Sequence, residues 1–234
     1  MKILGIDSSA VSASAALTEN GKIISEAFVN IGLTHSQTLL TLVDNVLHSA
    51  GTVISDIDLI ACVSGPGSFT GVRIGISLAK GLALPYSIPC IPISTLEAIA
   101  FAFKDIKGII CPVMDARCAQ VYTALFESEK DALRRLTEDS AIKIAQLNDE
   151  LKNHSDVPVY LAGDGTEVAL SGLEEISNVV CANQLVRYQR ASCAALLAEE
   201  KILNTDMTPI APEYLCPFYL REPQAVRNKK DNNR

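Results

Sequence analysis

Two stretches, Ile3-Leu-Gly-Ile-Asp7 and Ile109-Ile-Cys-Pro-Val-Met-Asp115, are short apolar runs that close on an aspartate, nearly half a chain apart. Each is followed by a second apolar segment: Ala13 to Thr18 after the first, and Gln120 to Glu127, with Val121, Tyr122, Leu125 and Phe126, after the second. Runs of this length read as strands rather than helices. A strand pattern that restarts at mid-chain predicts a duplicated unit. The expectation is an α/β protein of two tandem domains, residues 1–105 and 106–221, joined near 104–108, each a mixed sheet with helices packed on it.

The first copy is the easier to follow. Asn20-Gly21 is the favoured pair for a type I′ hairpin turn, and Ile23, Ile24 and Phe28 support a third strand, so the chain opens with a three-stranded meander. Thr34-His-Ser-Gln37 is a capping-box sequence; a helix is predicted from there to Gly51, with Leu39, Val43, Val46 and Leu47 on its apolar face and Leu40 and Leu42 widening it. Leu59 to Val63 and Pro89 to Pro92 read as buried strands, and Ser94-Thr-Leu-Glu97 as a second capping box for a helix to Phe103. In the second copy we expect a helix over Ala145–Lys152, a strand over Val157–Leu161, a glycine turn at Gly163-Asp-Gly165 and a helix over 191–203. Pro209, Pro212 and Pro217 make the segment to Leu220 extended or irregular.

Between the first copy's two buried strands lies Ser64-Gly-Pro-Gly-Ser-Phe-Thr-Gly71, running into a nearly all-apolar helix. Its spacing, G-x-G-x-x-x-G, is neither the dinucleotide fingerprint nor a Walker loop. Such a turn either offers helix N–H groups to an anion or lets the helix approach a sheet closely. Gly71, Gly75 and Ala79 then recur every four residues, clearing one helix face for another backbone, and Arg73, Ser77 and Lys80 form a narrow polar stripe. A helix this apolar is buried in a core or in an interface between chains.

The net charge of −7 argues against a protein that grips nucleic acid by itself. The exception is residues 222–234, with Arg227, Lys229, Lys230 and Arg234, expected to form a solvated basic tail. Seven cysteines without a C-x-x-C pair, mostly in apolar runs, suit a reducing compartment, hence cytoplasm. The start of the chain lacks a signal-peptide core, no stretch is apolar enough to span a membrane, and His35, His48 and His154 are too scattered for a local metal motif.

Two domains that each open with a strand ending in Asp resemble the actin, Hsp70 and sugar-kinase superfamily of ribonuclease H-like folds. That resemblance implies aspartate turns contacting ATP phosphates through D-x-G. Here Asp7-Ser8-Ser9 and Asp115-Ala116-Arg117 put Ser9 and Arg117 where the pattern wants glycine. Asp7, Ser8, Gly67, Ser68 and Asp115 are therefore candidates for the remnant of a phosphate site, and no cofactor is expected.

Within the superfamily, Ile3 to Ser8, His35-Ser36, Gly65 to Gly75, Gly81-Leu-Ala83, Ser94-Thr-Leu96, Asp115-Ala-Arg117 and Tyr219-Leu-Arg221 resemble the bacterial TsaB (YeaZ) family. The resemblance implies a non-catalytic partner of a paralogous TsaD-type transferase, which modifies adenosine 37 of tRNAs reading codons that start with A. It also implies a TsaE-type ATPase as third member, a homodimer when the chain is alone, and tRNA contact only through the complex. Pairing is implied through the helices at 34–50 and 71–84: His35, Leu39, Leu42, Val43 and Val46 on the first, and Gly71, Arg73, Gly75, Ser77, Ala79 and Lys80 on the second. The metal-binding histidine pair of the catalytic paralogue falls on Thr95 and Ile99 here, so neither metal ligand nor catalytic residue is expected. The other readings are an ATP-dependent phosphotransferase using Asp7 or Asp115, and a peptidase, for which no nucleophile, base and orienting acid are recognisable.

Overall fold

The computed structural model describes residues 1–221 except Leu33, Asp131, Glu175 and Asp206. The expected basic tail, 222–234, lies outside the described residues. The first half contains β1 (Lys2–Asp7), β2 (Ala13–Glu19), β3 (Lys22–Val29), α1 (His35–Ser49), β4 (Leu59–Gly65), α2 (Phe69–Ala83), β5 (Cys90–Ser94) and α3 (Thr95–Phe101). Its sheet has the order β3-β2-β1-β4-β5, antiparallel through the meander and parallel across β1, β4 and β5.

The second half contains β6 (Gly108–Asp115), β7 (Gln120–Thr123), β8 (Phe126–Glu129), β9 (Ala132–Arg135), β10 (Ser140–Lys143) and α4 (Ile144–Lys152). It continues with β11 (Val159–Ala162), α5 (Thr166–Gly172), β12 (Val179–Cys181), α6 (Gln184–Arg187) and α7 (Ala191–Asn204). Its main path, β10-β7-β6-β11-β12, repeats the order and strand directions of the first sheet, with β8 and β9 added on the side. The duplication inferred from Asp7 and Asp115 is thus present as topology.

The expected single strand Gln120–Glu127 is interrupted. β7 and β8 both pair with β6 in one register, since Val113 faces Thr123 and Ile110 faces Phe126. That register sets Pro112, which has no N–H to give, opposite Ala124. Leu125 N instead takes the Thr137 hydroxyl as acceptor at 2.7 Å. The hairpin β8–β9 is an addition to the repeated unit. It is fastened by Arg135, whose Nη1 lies 2.5 Å from Asp139 Oδ1 and whose Nη2 lies 3.6 Å from Glu97 on α3. At the capping boxes, Ser94 Oγ accepts from Glu97 N at 3.3 Å, but Thr34 makes no side-chain cap.

Strand alternation explains the layers. Leu4, Ile6, Ile60 and Cys62 face α1 and α2, while Ile3, Leu59, Ala61 and Val63 face the opposite side. That opposite side is covered by α7, through Ala194, Ala195, Leu197 and Ala198. Residues expected in the second domain therefore return to the first sheet. Gly5 is the point of closest approach: a Cβ there would lie 2.2 Å from Ala191 O. Ala191 N donates to Ser14 Oγ (2.9 Å), and Glu26 receives Ser192 Oγ (2.7 Å) and Arg190 Nη1 (3.2 Å), which fixes the start of α7. Ile210 bridges to Cys90, and Phe218 N donates to Ser64 O at 2.8 Å, so the chain from Ile210 to Phe218 packs on this unit. Leu96, Ile99 and Phe103 pack with Ile110, Met114 and Phe126, giving the two sheets a shared core.

Candidate functional site

Two concavities meet at the start of α2. The first is a cleft of about 490 Å³ between the halves, lined by Ser9 to Val11, Gly67 to Thr70, Met114 to Arg117, Tyr122 and Asp164. Of the five phosphate-site candidates, Gly67, Ser68 and Asp115 line it, while Asp7 and Ser8 lie buried behind the β1–β2 turn. Asp7 is buried, and its Oδ1 receives Ser9 N (2.8 Å) and Ser9 Oγ (2.7 Å). Burial pushes its carboxyl above the ordinary range, and Oδ2 has no hydrogen-bond partner among the described residues. Ser8 Oγ donates to Gly71 O at 2.9 Å, Ser68 N donates to Ser9 O at 2.7 Å, and Ser68 Oγ caps α2 by accepting from Gly71 N at 3.2 Å.

The glycine turn is filled by the protein's own backbone. A Cβ on Gly65 would meet Phe218 O at 2.4 Å, on Gly67 Ser9 O at 2.3 Å, and on Gly71 Ser8 O at 2.1 Å. Gly67 and Gly71 let α2 approach the β1–β2 turn, Gly65 makes room for the chain at Phe218, and Gly75 and Ala79 continue the α2 contact against Ser8, Cys62 and the core. The Ser8, Ser9 and Ser68 hydroxyls and one oxygen of Asp7 are engaged within the turn itself, and Ser9 stands where close approach of a phosphate needs glycine. With the turn filled by backbone, the residues present do not fit that group.

Across the cleft, Asp115 Oδ1 accepts from Arg117 N at 2.7 Å, and Arg117 Nη1 lies 3.4 Å from Asp115 Oδ2. Asp164, from the Gly163-Asp-Gly165 turn, joins it in lining the cleft. Burial, with the Asp115 charge adding to it, pushes the Asp164 carboxyl up to about 6. A folded-state value above the ordinary 3.8 means that the protonated acid favours the fold below about pH 4 and that this stability is lost as pH rises through 6. Asp164→Asn should therefore raise stability by about 1–3 kcal/mol at pH 8 and change it little at pH 4. Thermal melts at the two pH values check this; an equal shift at both would show that ionisation is not involved.

The second concavity is a groove of about 540 Å³ between α1 and α2, lined by His35, Ser36, Leu39, Leu40, Thr70, Arg73, Ile74, Ser77 and Leu78. Of the residues expected at a pairing surface, Leu39, Leu42, Val43, Val46, Gly71, Gly75 and Ala79 are buried within this chain. Arg73 and Ser77 are exposed, and His35 and Lys80 are half-buried. His35 donates from Nε2 to Ala10 O at 2.7 Å, fixing that tautomer, and Lys80 Nζ donates to Glu213 O at 3.0 Å. The apolar material offered outward is different: Leu40, 56% exposed, with Ile74 and Leu78. Spacing marked these residues as apolar but could not say which would be left uncovered, because the small-residue face of α2 took the side against β1.

Comparison with known proteins places this geometry. A family model described as "TsaD: tRNA N6-adenosine threonylcarbamoyltransferase" matches residues 30–229. The tRNA threonylcarbamoyladenosine biosynthesis protein TsaB of Bacillus subtilis is 32% identical over 217 residues, covering 92% of this chain and 94% of that one. The chain belongs to the TsaB family, inside the broader TsaD group. The TsaB protein of Escherichia coli is 36% identical over 144 residues, which is 61% of this chain and 62% of its own length. Among solved structures, YeaZ from Pseudomonas aeruginosa superimposes with a TM-score of 0.77 at 24% identity, over 94% of this chain and 99% of that one. Within the TsaB-like run from Gly65 to Gly75, Gly67, Gly71 and Gly75 make the tight contact with Ser8 and Ser9 of the β1–β2 turn.

Proposed function

We propose that this TsaB-family chain is a non-catalytic scaffold and activator in tRNA threonylcarbamoyladenosine synthesis, pairing with a TsaD-type transferase that acts on adenosine 37 of tRNAs reading A-starting codons. The observation that carries the reading is the α1/α2 groove, in which Leu40, Ile74 and Leu78 present an apolar strip bordered by Arg73, Ser77 and His35. An apolar centre with a polar rim is the composition of a protein–protein contact. Two chains meeting there bring together four helices, and a second copy of this chain would use the same strip when no transferase is present. A TsaE-type ATPase joins the pair, the assembly is cytoplasmic, and tRNA is met only through the complex, in keeping with a net charge of −7.

The helix after the fifth strand supports a non-catalytic role. Thr95 and Ile99 occupy the positions of the paralogue's histidines and are buried at 0% and 2% exposure. Isoleucine has no donor atom, and a threonine hydroxyl is a weak ligand. Reconstituted modification of tRNA, omitting one component at a time, tests the proposal: without this chain, modified adenosine should fall at least tenfold. Undiminished modification would sink it. Calorimetry with ATP and magnesium separates the phosphotransferase reading, which requires micromolar binding followed by turnover.

A further inference from the structure

The end of the described chain does more than finish the fold. Phe218 is tied to the first half through its N–H to Ser64 O (2.8 Å), and its own carbonyl occupies the space beside Gly65. The next residue, Tyr219, stacks on Phe69 at the start of α2, with ring centroids 4.0 Å apart and planes within 5°. Arg73, on the groove side of α2, donates from Nε to Tyr219 Oη at 2.7 Å and lies over both rings, 4.8 Å from Phe69 and 5.6 Å from Tyr219. Two residues on, Arg221 crosses to the second half and donates from Nη1 to Ala116 O at 2.6 Å.

Ala116 opens an unfavourable turn. Arg117, Cys118 and Ala119 all have left-handed backbones, with φ of 65°, 55° and 52°, and none is glycine. Side-chain-bearing residues adopt three such conformations in a row only when their surroundings hold them. The holding contacts are few: Asp115 Oδ1 on Arg117 N, the Gln120 N–H to Arg117 O (3.2 Å), the Ala116 N–H to Gln120 O (3.0 Å), the Ile144 N–H to Ala119 O (3.3 Å), and Arg221.

We infer that residues 218–221 form a strap coupling the α1/α2 groove to the cleft turn at 116–119. The groove end of the strap is the Arg73–Tyr219 hydrogen bond and the cleft end is the Arg221–Ala116 hydrogen bond. A carboxylate seated in the groove against Arg73 competes with the Tyr219 hydroxyl, frees the strap, and gives the turn a route out of its left-handed conformation. Because coupling is reciprocal, a cleft that favours the released turn also frees Arg73 for the groove. The link is a property of this chain whatever fills the groove, so it stands or falls separately from the pairing partner.

The test uses the full chain alone. Tyr219→Phe removes the hydroxyl and keeps the stacked ring. Amide hydrogen exchange should quicken fivefold or more at Ala116 and Gln120, some distance from the substitution, while core amides of β1 and β4 keep their parent rates. Arg221→Lys, which retains charge but lacks the fork, should quicken the same two amides and shift the Arg73 Nε–H resonance. Parent exchange rates at Ala116 and Gln120 in both variants would overturn the strap, as would a uniform increase across the first sheet, which would signal general destabilisation instead.

Discussion

Leu40→Asp should leave the chain folded and weaken its association with a TsaD-type partner about 100-fold. Leu40 is largely in water in the isolated chain, so the fold loses little, within about 0.5 kcal/mol for an exposed site. At a paired surface the same change forfeits the burial of a leucine, about 1.5–3 kcal/mol. It also places a carboxylate among Ile74 and Leu78, and only in part against Arg73. Together these reach about 3 kcal/mol, roughly two decades in Kd. Titration calorimetry of the variant with the partner measures the loss, and gel filtration shows whether self-association falls with it. An unchanged Kd in a folded variant would remove the groove from the pairing surface.

Gly71→Ala should have the opposite profile, damaging the fold before any partner is added. Its added Cβ meets a main-chain oxygen, Ser8 O, at 2.1 Å, and the strand behind that oxygen is buried on both faces. Overpacking against backbone costs about 3 kcal/mol or more. For a chain of this length that lowers Tm by about 6–12 °C. Gly75→Ala should be milder, because the nearest atom is the Ser8 hydroxyl at 2.6 Å, the end of a side chain that can rotate. Calorimetric melts of the two variants separate backbone from side-chain crowding. Equal, small losses would mean that α2 shifts as a body.

Much of this arrangement is legible in the sequence where local chemistry decides it. Asn20-Gly21 sets the hairpin, Ser94 caps α3, and the aspartate-ending strands announce the repeat. Long-range closure is where that reading stops. Nothing local to Ala191–Asn204 says that the helix lies on the strands of residues 2–65; that is decided by Gly5, Glu26 and Ser14, far away in sequence. The break at Ala124 falls opposite Pro112 in the facing strand, and the β8–β9 hairpin is braced through Arg135 against Glu97 and Asp139, contacts that only the fold brings together. At the candidate site the small-residue stripe of α2 was readable as a close contact, but its owner, the Ser8 backbone of the same chain, was not. Asp164 carries no signal beyond its flanking glycines, since its environment comes from burial in the fold and, after that, from the Asp115 charge.

The return of α7 to the first sheet also orders events during synthesis. When β5 has left the ribosome, Ile3, Leu59, Ala61, Val63, Ile91 and Ile93 have no helix over them, because Ala194, Leu197 and Ala198 do not yet exist. α3 soon covers part of that face through Ala98 and Phe101, and at translation speeds of roughly 5–20 residues per second the rest waits roughly 5 to 20 s for α7. The first sheet therefore reaches its native burial only once nearly the whole chain has been made.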